Sequence, residues 1–413
     1  MFATHAVCTE CGRRHALERV YRCESCGAPL DVQYQYADIS PAAFDPTCGS
    51  RADGIWIHHD LLPASASYAV TLGEGRTPLL RCERIGQLLG LSCLLAKDET
   101  RQPTGSFKDR PLSVAVSRAR ELGVDTVTTA SSGNAAASMV AYAARAGLRA
   151  VVFVPSHTPA SKLLQIAASG AKIVRVTGSV SDSMALAHTS AREFGWYNVT
   201  TTFENPYSVE GDKTVAYEIA ADLGWRAPRW IIVPVGAGPL LAGIWKGFCE
   251  MQRAGLVNML PRMVAAQAAG CAPIARAFRA GAGVVLPWDS PRTIASGIQD
   301  PLAGYSQDGT YTLKIVRQSL GTAVAVSDEA ILRAIRLMDE AEGLYMEPSA
   351  GAAVAALTDL LQDGSMASGD EVVVVSTGHG LKQPFATENE LQDIPEISPT
   401  LQSLRALDLD TFA

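Results

Sequence analysis

The sequence predicts an α/β fold in which helices cover parallel sheets, preceded by a small cysteine-bearing arm. Three observations predict it. From about residue 68 onward, short apolar runs alternate with amphipathic or alanine-rich stretches, and uninterrupted apolar strands are those buried on both faces of a parallel sheet. Small-residue segments stand at four strand-to-helix transitions, where open α/β sheets place their ligand crevice. Four of the nine cysteines fall within the first thirty residues, as two CxxCG units.

The arm, residues 1–35, carries CTECG (Cys8, Cys11) and CESCG (Cys23, Cys26), with eleven residues between the pairs. Each pair brings two thiolates to one tetrahedral ion, and the glycine after it permits the turn that aims amides at sulfur. A zinc-ribbon-like site holding one structural zinc is expected. Four cysteine ligands leave no open position for a substrate. The remaining cysteines are scattered singly (Cys48, Cys82, Cys93, Cys249, Cys271), which fits reduced thiols in a cytoplasm better than a disulfide framework.

Strands are expected at Cys93–Lys97, Thr126–Ala130, Ala150–Val154, Lys172–Val176, Trp230–Val235, Met263–Gln267 and Glu371–Ser376. Helices are expected around Phe107–Leu122, Asn134–Ala146, Ser183–Phe194, Gly211–Leu223, Leu240–Arg253, Asp328–Glu342 and Gly351–Leu361. They divide into an N-terminal α/β domain over 68–202 and a C-terminal one over 203–387, and an acidic tail follows over 388–413. A net charge of −7 gives no basic footprint for nucleic acid. The uncharged stretch Trp230 to Trp245 is broken by Pro234, Gly236, Gly238 and Pro239, too short and interrupted to span a bilayer. No basic segment leading into an apolar one opens the chain, so a secretory signal is not expected. The expected partner is a small molecule.

Chemistry concentrates at the four transitions. Lys108, in PTGSFKDR at a helix start, is poised for Schiff-base chemistry if its surroundings lower its pKa, although a solvated lysine paired with Asp109 or Glu99 would read the same. Ser131, Ser132 and Gly133 end a strand and Asn134 opens a helix, so the backbone there can receive an anion such as a carboxylate. Gly236, Ala237 and Gly238 run into a helix with Pro239 at its first position, a phosphate cradle in form though common among βα turns. Ser376 and Thr377 end another strand. The nearby His379 reads as a local structural hydrogen bond. A lysine, a phosphate cradle, an anion turn and a strand-end hydroxyl together suit pyridoxal 5′-phosphate.

Over most of Gly73 to Pro384 the chain resembles the threonine synthase family of fold-type II pyridoxal-phosphate enzymes, two-domain proteins like the tryptophan synthase β-subunit. GEGRTPL, PTGSFKDR, SSGN, NPYSVEGDKT, the glycine loop, QAAGCAP, EPSAGAA and TGHGLK occur in the family's order. The resemblance implies Lys108 as the Schiff-base lysine, Asn134 on the cofactor's ring hydroxyl and Thr377 at its pyridine nitrogen. It implies Gly236, Ala237, Gly238 and Leu240 around the cofactor phosphate, and Ser131, Ser132 and Gly133 on the substrate carboxylate. A neutral hydroxyl at the pyridine nitrogen favours loss of a β- or γ-substituent over transamination. The implied enzyme is a carbon–oxygen lyase of amino-acid biosynthesis acting on a small amino acid, and the expected assembly is a homodimer.

The departures concern the substrate phosphate. The family's GNAGN loop is replaced by one with Ala237 and Pro239, its NP-x-R-x-EG arginine by Ser208, and its usual asparagine by Gln102. Such charge-assisted hydrogen bonds are worth roughly 1.5–3 kcal/mol each. The candidate compensating cations by sequence are Lys213, Lys162 and Arg101, each of which reads equally as a surface charge, Lys162 most of all. GAGPLLAG is similar to the GGGGLLAG loop of serine/threonine dehydratases, yet SSGNAAAS lacks their histidine. Threonine formation from O-phosphohomoserine and water is the best named reaction. A dehydratase or diaminopropionate-type ammonia-lyase, or a replacement synthase on another activated amino acid, is the alternative. Lys108 argues against a non-catalytic binding protein.

Overall fold

The described residues form three sheets, and the largest takes its strands from two distant parts of the sequence. The computed structural model describes residues 2–47, 51–178, 180–384 and 394–407. The arm forms β1 (Ala3–Cys8), β2 (Arg14–His15) and β3 (Leu30–Tyr34). These make an antiparallel sheet of order β2-β1-β3 over a small core of Ala6, Cys8, Cys23, Ala28 and Leu30.

The chain then runs through β4 (Leu79–Arg81), α1 (Glu83–Leu89), β5 (Cys93–Asp98) and α2 (Asp109–Glu121). Next come β6 (Thr126–Ala130), α3 (Asn134–Ala146), β7 (Arg149–Pro155), α4 (Ala160–Ala168), β8 (Lys172–Val176), α5 (Val180–Glu193) and β9 (Tyr197–Asn198). Helices α6 (Pro206–Asp212) and α7 (Thr214–Asp222) lead into β10 (Trp230–Pro234), α8 (Pro239–Arg253), β11 (Arg262–Ala268) and α9 (Pro273–Arg279). The unit closes with α10 (Ser306–Gln318), β12 (Thr322–Val326), α11 (Asp328–Glu342), α12 (Pro348–Gln362) and β13 (Glu371–Ser376).

The six-stranded sheet has order β12-β11-β10-β13-β5-β4, parallel except for β4, and the four-stranded parallel sheet has order β8-β7-β6-β9. All five residues of β6 and all five of β10 are buried, as strands covered by helices on both faces require. Sheet membership does not follow the expected division at 202/203. β5 pairs with β13 from Glu371↔Cys93 to Ser376↔Asp98, because its apolar run Leu94–Ala96 completes the larger sheet rather than the smaller one. Residues 1–383 form one unit, and 384–413 form a second that contains the short helix Leu401–Arg405. Most of the acidic run of the tail lies outside the described residues.

The single helix expected over Gly211–Leu223 divides into α6 and α7 at Lys213. Helix α6 presses on α2 at Gly211, where a Cβ would stand 2.2 Å from the carbonyl oxygen of Arg110. Only glycine allows that approach. Beside it, the fully buried Arg110 spans Glu99 (2.8 Å) and Glu218 (2.7 Å), and Lys97 adds a third ion pair to Glu218 at 2.8 Å. This network fixes the start of α2 against β5 and α7. Among the described residues no helix is long and apolar enough to cross a membrane.

Candidate active site

Lys108 stands immediately before α2, at its N-cap. The segment that carries it is stitched to the end of β13, with Phe107 N–H donating to the carbonyl of Thr377 (3.0 Å) and His379 N–H to that of Gly105 (2.9 Å). Glu347, the residue before α12, donates its N–H to the Gly378 carbonyl at 2.9 Å. The motifs PTGSFKDR, EPSAGAA and TGHGLK, distant in sequence, therefore meet in one place. His379 accepts a hydrogen bond from Leu381 N–H at 3.1 Å, the local structural role expected of it.

Burial pushes the Lys108 ammonium below its ordinary range, and the carboxylates of Asp212, Asp300 and Glu347 only partly offset this. Desolvation of this kind favours the neutral amine, the form that nucleophilic attack requires. Burial likewise lifts the Asp212 carboxyl to about 8, against the opposing influence of Lys108. Its Oδ1 is buried and has no hydrogen-bond partner among the described residues. Asp300 and Glu347 are also raised by burial, and Glu347 is partly relieved by Asn134. Asp212, Asp300 and Glu347 were not singled out by sequence reasoning. Asp212 and Glu347 lie inside quoted motifs, NPYSVEGDKT and EPSAGAA, but their burial comes from tertiary packing.

Asn134 opens α3, and its Nδ2 donates to both oxygens of Glu347, at 2.9 and 3.0 Å. Ser131, Ser132 and Gly133 lie in the turn between β6 and α3, accessible to solvent. No side chain caps α3, so its first amides are open to an anion. Gly236, Ala237 and Gly238 link β10 to α8. Gly238 adopts φ +106° as the N-cap of α8, Pro239 is its first residue and Leu240 its second. The buried Gln267 steadies the loop, its Nε2 3.3 Å from the carbonyls of Val235 and Gly236. The Thr312 hydroxyl donates to the Ala237 carbonyl at 2.6 Å. Thr377 is buried at the end of β13, next to Ser376, whose Oγ has no partner among the described residues. Ser106 Oγ, two residues before Lys108, is buried and unpartnered in the same way.

These features fit pyridoxal phosphate. A desolvated lysine, unpartnered hydroxyls beside it and a glycine loop at a helix start supply the imine partner, polar contacts and phosphate cradle the cofactor needs. The compensating cations fare differently. Lys213 is buried in ion pairs to Glu210 (2.8 Å) and Glu250 (2.9 Å). Arg101 is exposed and pairs with Asp98 at 3.0 Å. Lys162 lies at the start of α4, within electrostatic reach of Glu347. Ser208 is buried, its hydroxyl donating to the Asn205 carbonyl at 2.7 Å.

In the arm, the four cysteine sulfurs lie within 4.8 Å of one another, with Cys8–Cys26 at 3.4 Å and Cys11–Cys23 at 3.6 Å. A tetrahedral zinc with Zn–S of about 2.3 Å sets sulfurs about 3.8 Å apart. Burial opposes ionisation of Cys8, but N–H donors from Cys11 and Glu10 outweigh it and bring the thiol to about 7. The donor set fits one zinc.

The family described as pyridoxal-phosphate dependent enzymes matches residues 70–378. The chain belongs to that family. It is 38% identical over 382 residues to a threonine synthase of Methanocaldococcus jannaschii, covering 92% of this chain and 93% of that protein. It is 36% identical over 403 residues to a threonine synthase of Methanosarcina acetivorans, covering 97% and 98%. Among solved structures it is similar to maize serine racemase, with a TM-score of 0.66 at 25% identity over 77% of this chain and 91% of that one. This is a fold-type II pyridoxal-phosphate enzyme, a lyase of the threonine synthase type.

Proposed function

We propose that this enzyme forms threonine from O-phosphohomoserine and water, with Lys108 as the catalytic lysine. The observation that carries the reading is the meeting of PTGSFKDR, EPSAGAA and TGHGLK around a desolvated Lys108, in a chain whose relatives are threonine synthases. When bound, pyridoxal phosphate supplies an electron sink that makes the substrate's Cα proton removable. Lys108 would hold the cofactor, and its Nζ would accept and return that proton. The open amides from Ser131 to Asn134 orient the substrate carboxylate. The loop Gly236–Gly238, with Leu240, holds the cofactor phosphate, Asn134 its ring hydroxyl and Thr377 its pyridine nitrogen. Lys162, at the start of α4, is the cation we assign to a substrate phosphate, on its electrostatic effect at Glu347. The arm holds one structural zinc through Cys8, Cys11, Cys23 and Cys26. The protein works in the cytoplasm as a homodimer.

A second reading, elimination of a hydroxyl or an ammonium from a small amino acid, is favoured by one observation. Among the described residues the charges that act most on Lys108 are the carboxylates of Asp212, Asp300 and Glu347, whereas a phosphate dianion in a poorly solvated cleft needs compensating positive charge. The holoenzyme should be given O-phosphohomoserine, O-phosphoserine, serine, threonine and 2,3-diaminopropionate in turn, with phosphate, ammonia and 2-oxo acid measured. Phosphate release from O-phosphohomoserine with threonine as product is the expected result. Ammonia and 2-oxo acid from an unphosphorylated substrate, with no phosphate release, would replace it with the second reading.

A further inference from the structure

Arg22 lies next to Cys23, in the second cysteine knuckle, and reaches out of the arm into the body of the enzyme. Its Nη1 and Nη2 donate to the two oxygens of Asp308 at 2.7 and 3.0 Å, and its Nε donates to Glu204 at 2.7 Å. A second-knuckle carbonyl, that of Gly27, lies 3.5 Å from the same guanidinium. Asp308 is fully buried in the first turn of α10 and also receives the Phe203 N–H at 3.3 Å. A bidentate guanidinium–carboxylate pair fixes orientation as well as distance. The arm thus sets where α10 begins.

Helix α10 in turn sets the glycine loop. One turn beyond Asp308, the buried Thr312 shares its hydroxyl between the Ala237 carbonyl (2.6 Å) and the Asp308 carbonyl (3.2 Å). Its side chain fills the space over Gly238, where a Cβ would stand 2.2 Å from Oγ1. Just before α10, Tyr305 O–H donates to Asp300 at 2.8 Å, and Asp300 packs beside Gly236. One end of the loop therefore rests on Thr312 of α10, and the other on Asp300, which Tyr305 at the N-cap of α10 holds.

We propose that the cysteine arm braces the cofactor-phosphate loop, with Arg22 and Asp308 fixing α10 and Thr312 carrying that position to Ala237 and Gly238. Arg22, Asp308 and Thr312 are positioning residues. The inference rests on the pyridoxal-phosphate reading of the loop. It concerns how tightly the cofactor is held, not how the substrate reacts.

The test is titration of apo-protein with pyridoxal phosphate, followed by the cofactor's absorbance, for the wild type and four variants: Arg22→Ala, Asp308→Asn, Thr312→Val and Thr312→Ser. Arg22→Ala, Asp308→Asn and Thr312→Val should each weaken the cofactor about tenfold, the loss of one charge-assisted or buried hydrogen bond. Thr312→Ser keeps the hydroxyl and should bind like the wild type. Turnover at saturating cofactor should change little, a split that general destabilisation would not give. The double variant Arg22→Ala/Thr312→Val should bind no more weakly than Thr312→Val alone, as members of one relay do. Arg22→Ala and Asp308→Asn that melt earlier yet bind the cofactor like the wild type would overturn the relay. So would a Thr312→Ser variant as weak as Thr312→Val. If Arg22→Ala does not fold, Asp308→Asn and the Thr312 pair decide. A wild type that takes up no pyridoxal phosphate would instead overturn the cofactor reading itself.

Discussion

Replacing Asp212 by asparagine isolates the electrostatics beside Lys108. Burial raises the Asp212 carboxyl to about 8 in the folded apo-protein, against about 3.9 in an unfolded chain. Between those values the folded state holds one proton that the unfolded state has released. The stability this proton confers is fully present below about pH 4 and is lost as pH rises toward 8. The slope for one proton is about 1.4 kcal/mol per pH unit. Asparagine preserves the shape and cannot ionise. The difference in unfolding free energy, variant minus wild type, should therefore grow by roughly 3 kcal/mol between about pH 5 and 7. Urea denaturation of the apo-proteins at three pH values measures it. Parallel stability curves for the two proteins would refute a raised carboxyl at this position.

Three further outcomes follow from the geometry. Gly238→Ala, which strains a φ of +106° and drives a Cβ into Thr312, should weaken pyridoxal phosphate at least about tenfold at a strain of 1–3 kcal/mol; unchanged binding in a cofactor titration would remove the loop from the site. Glu218→Gln should lower stability by about 3–5 kcal/mol, because Arg110 and Lys97 lose a buried counter-charge; a loss below about 1 kcal/mol in denaturation would show that the network is not tightly coupled. Protein purified without chelator should contain one zinc per chain by metal analysis, and Cys23→Ser should release it; metal-free wild-type protein would defeat the ribbon assignment.

Much of the parallel architecture was legible because most of its strands are short runs dominated by apolar and β-branched residues between turn signals. Thr126–Ala130, Lys172–Val176 and Glu371–Ser376 have the expected bounds, as do the helices Asn134–Ala146 and Asp328–Glu342. The strand Leu79–Arg81 was not legible, being three residues at a sheet edge with little burial. Helix α10 was hidden by its composition, since SQDGTYTLKIVRQ places a glycine and β-branched residues where helix formers are expected. The break at Lys213 was invisible because it arises from contact between α6 and α2. At the site, Lys108, Asn134 and the glycine loop announce themselves by local motif. Asp212, Asp300 and Glu347 do not, because a buried carboxylate differs from a surface one only through its neighbours. The Arg22–Asp308 pair joins residues 286 positions apart, and no local pattern marks either member.

The central claim is that Lys108 carries the cofactor. Borohydride reduction of the pyridoxal-phosphate-loaded enzyme, followed by proteolysis and mass spectrometry, tests it most directly. The cofactor should be fixed to the peptide containing Lys108, and Lys108→Ala should fold, take up no covalent label and lose turnover. Label on Lys97 or Lys382 instead would contradict the account, since Lys97 is committed to Glu218 and Lys382 to the Thr104 carbonyl and Gln165.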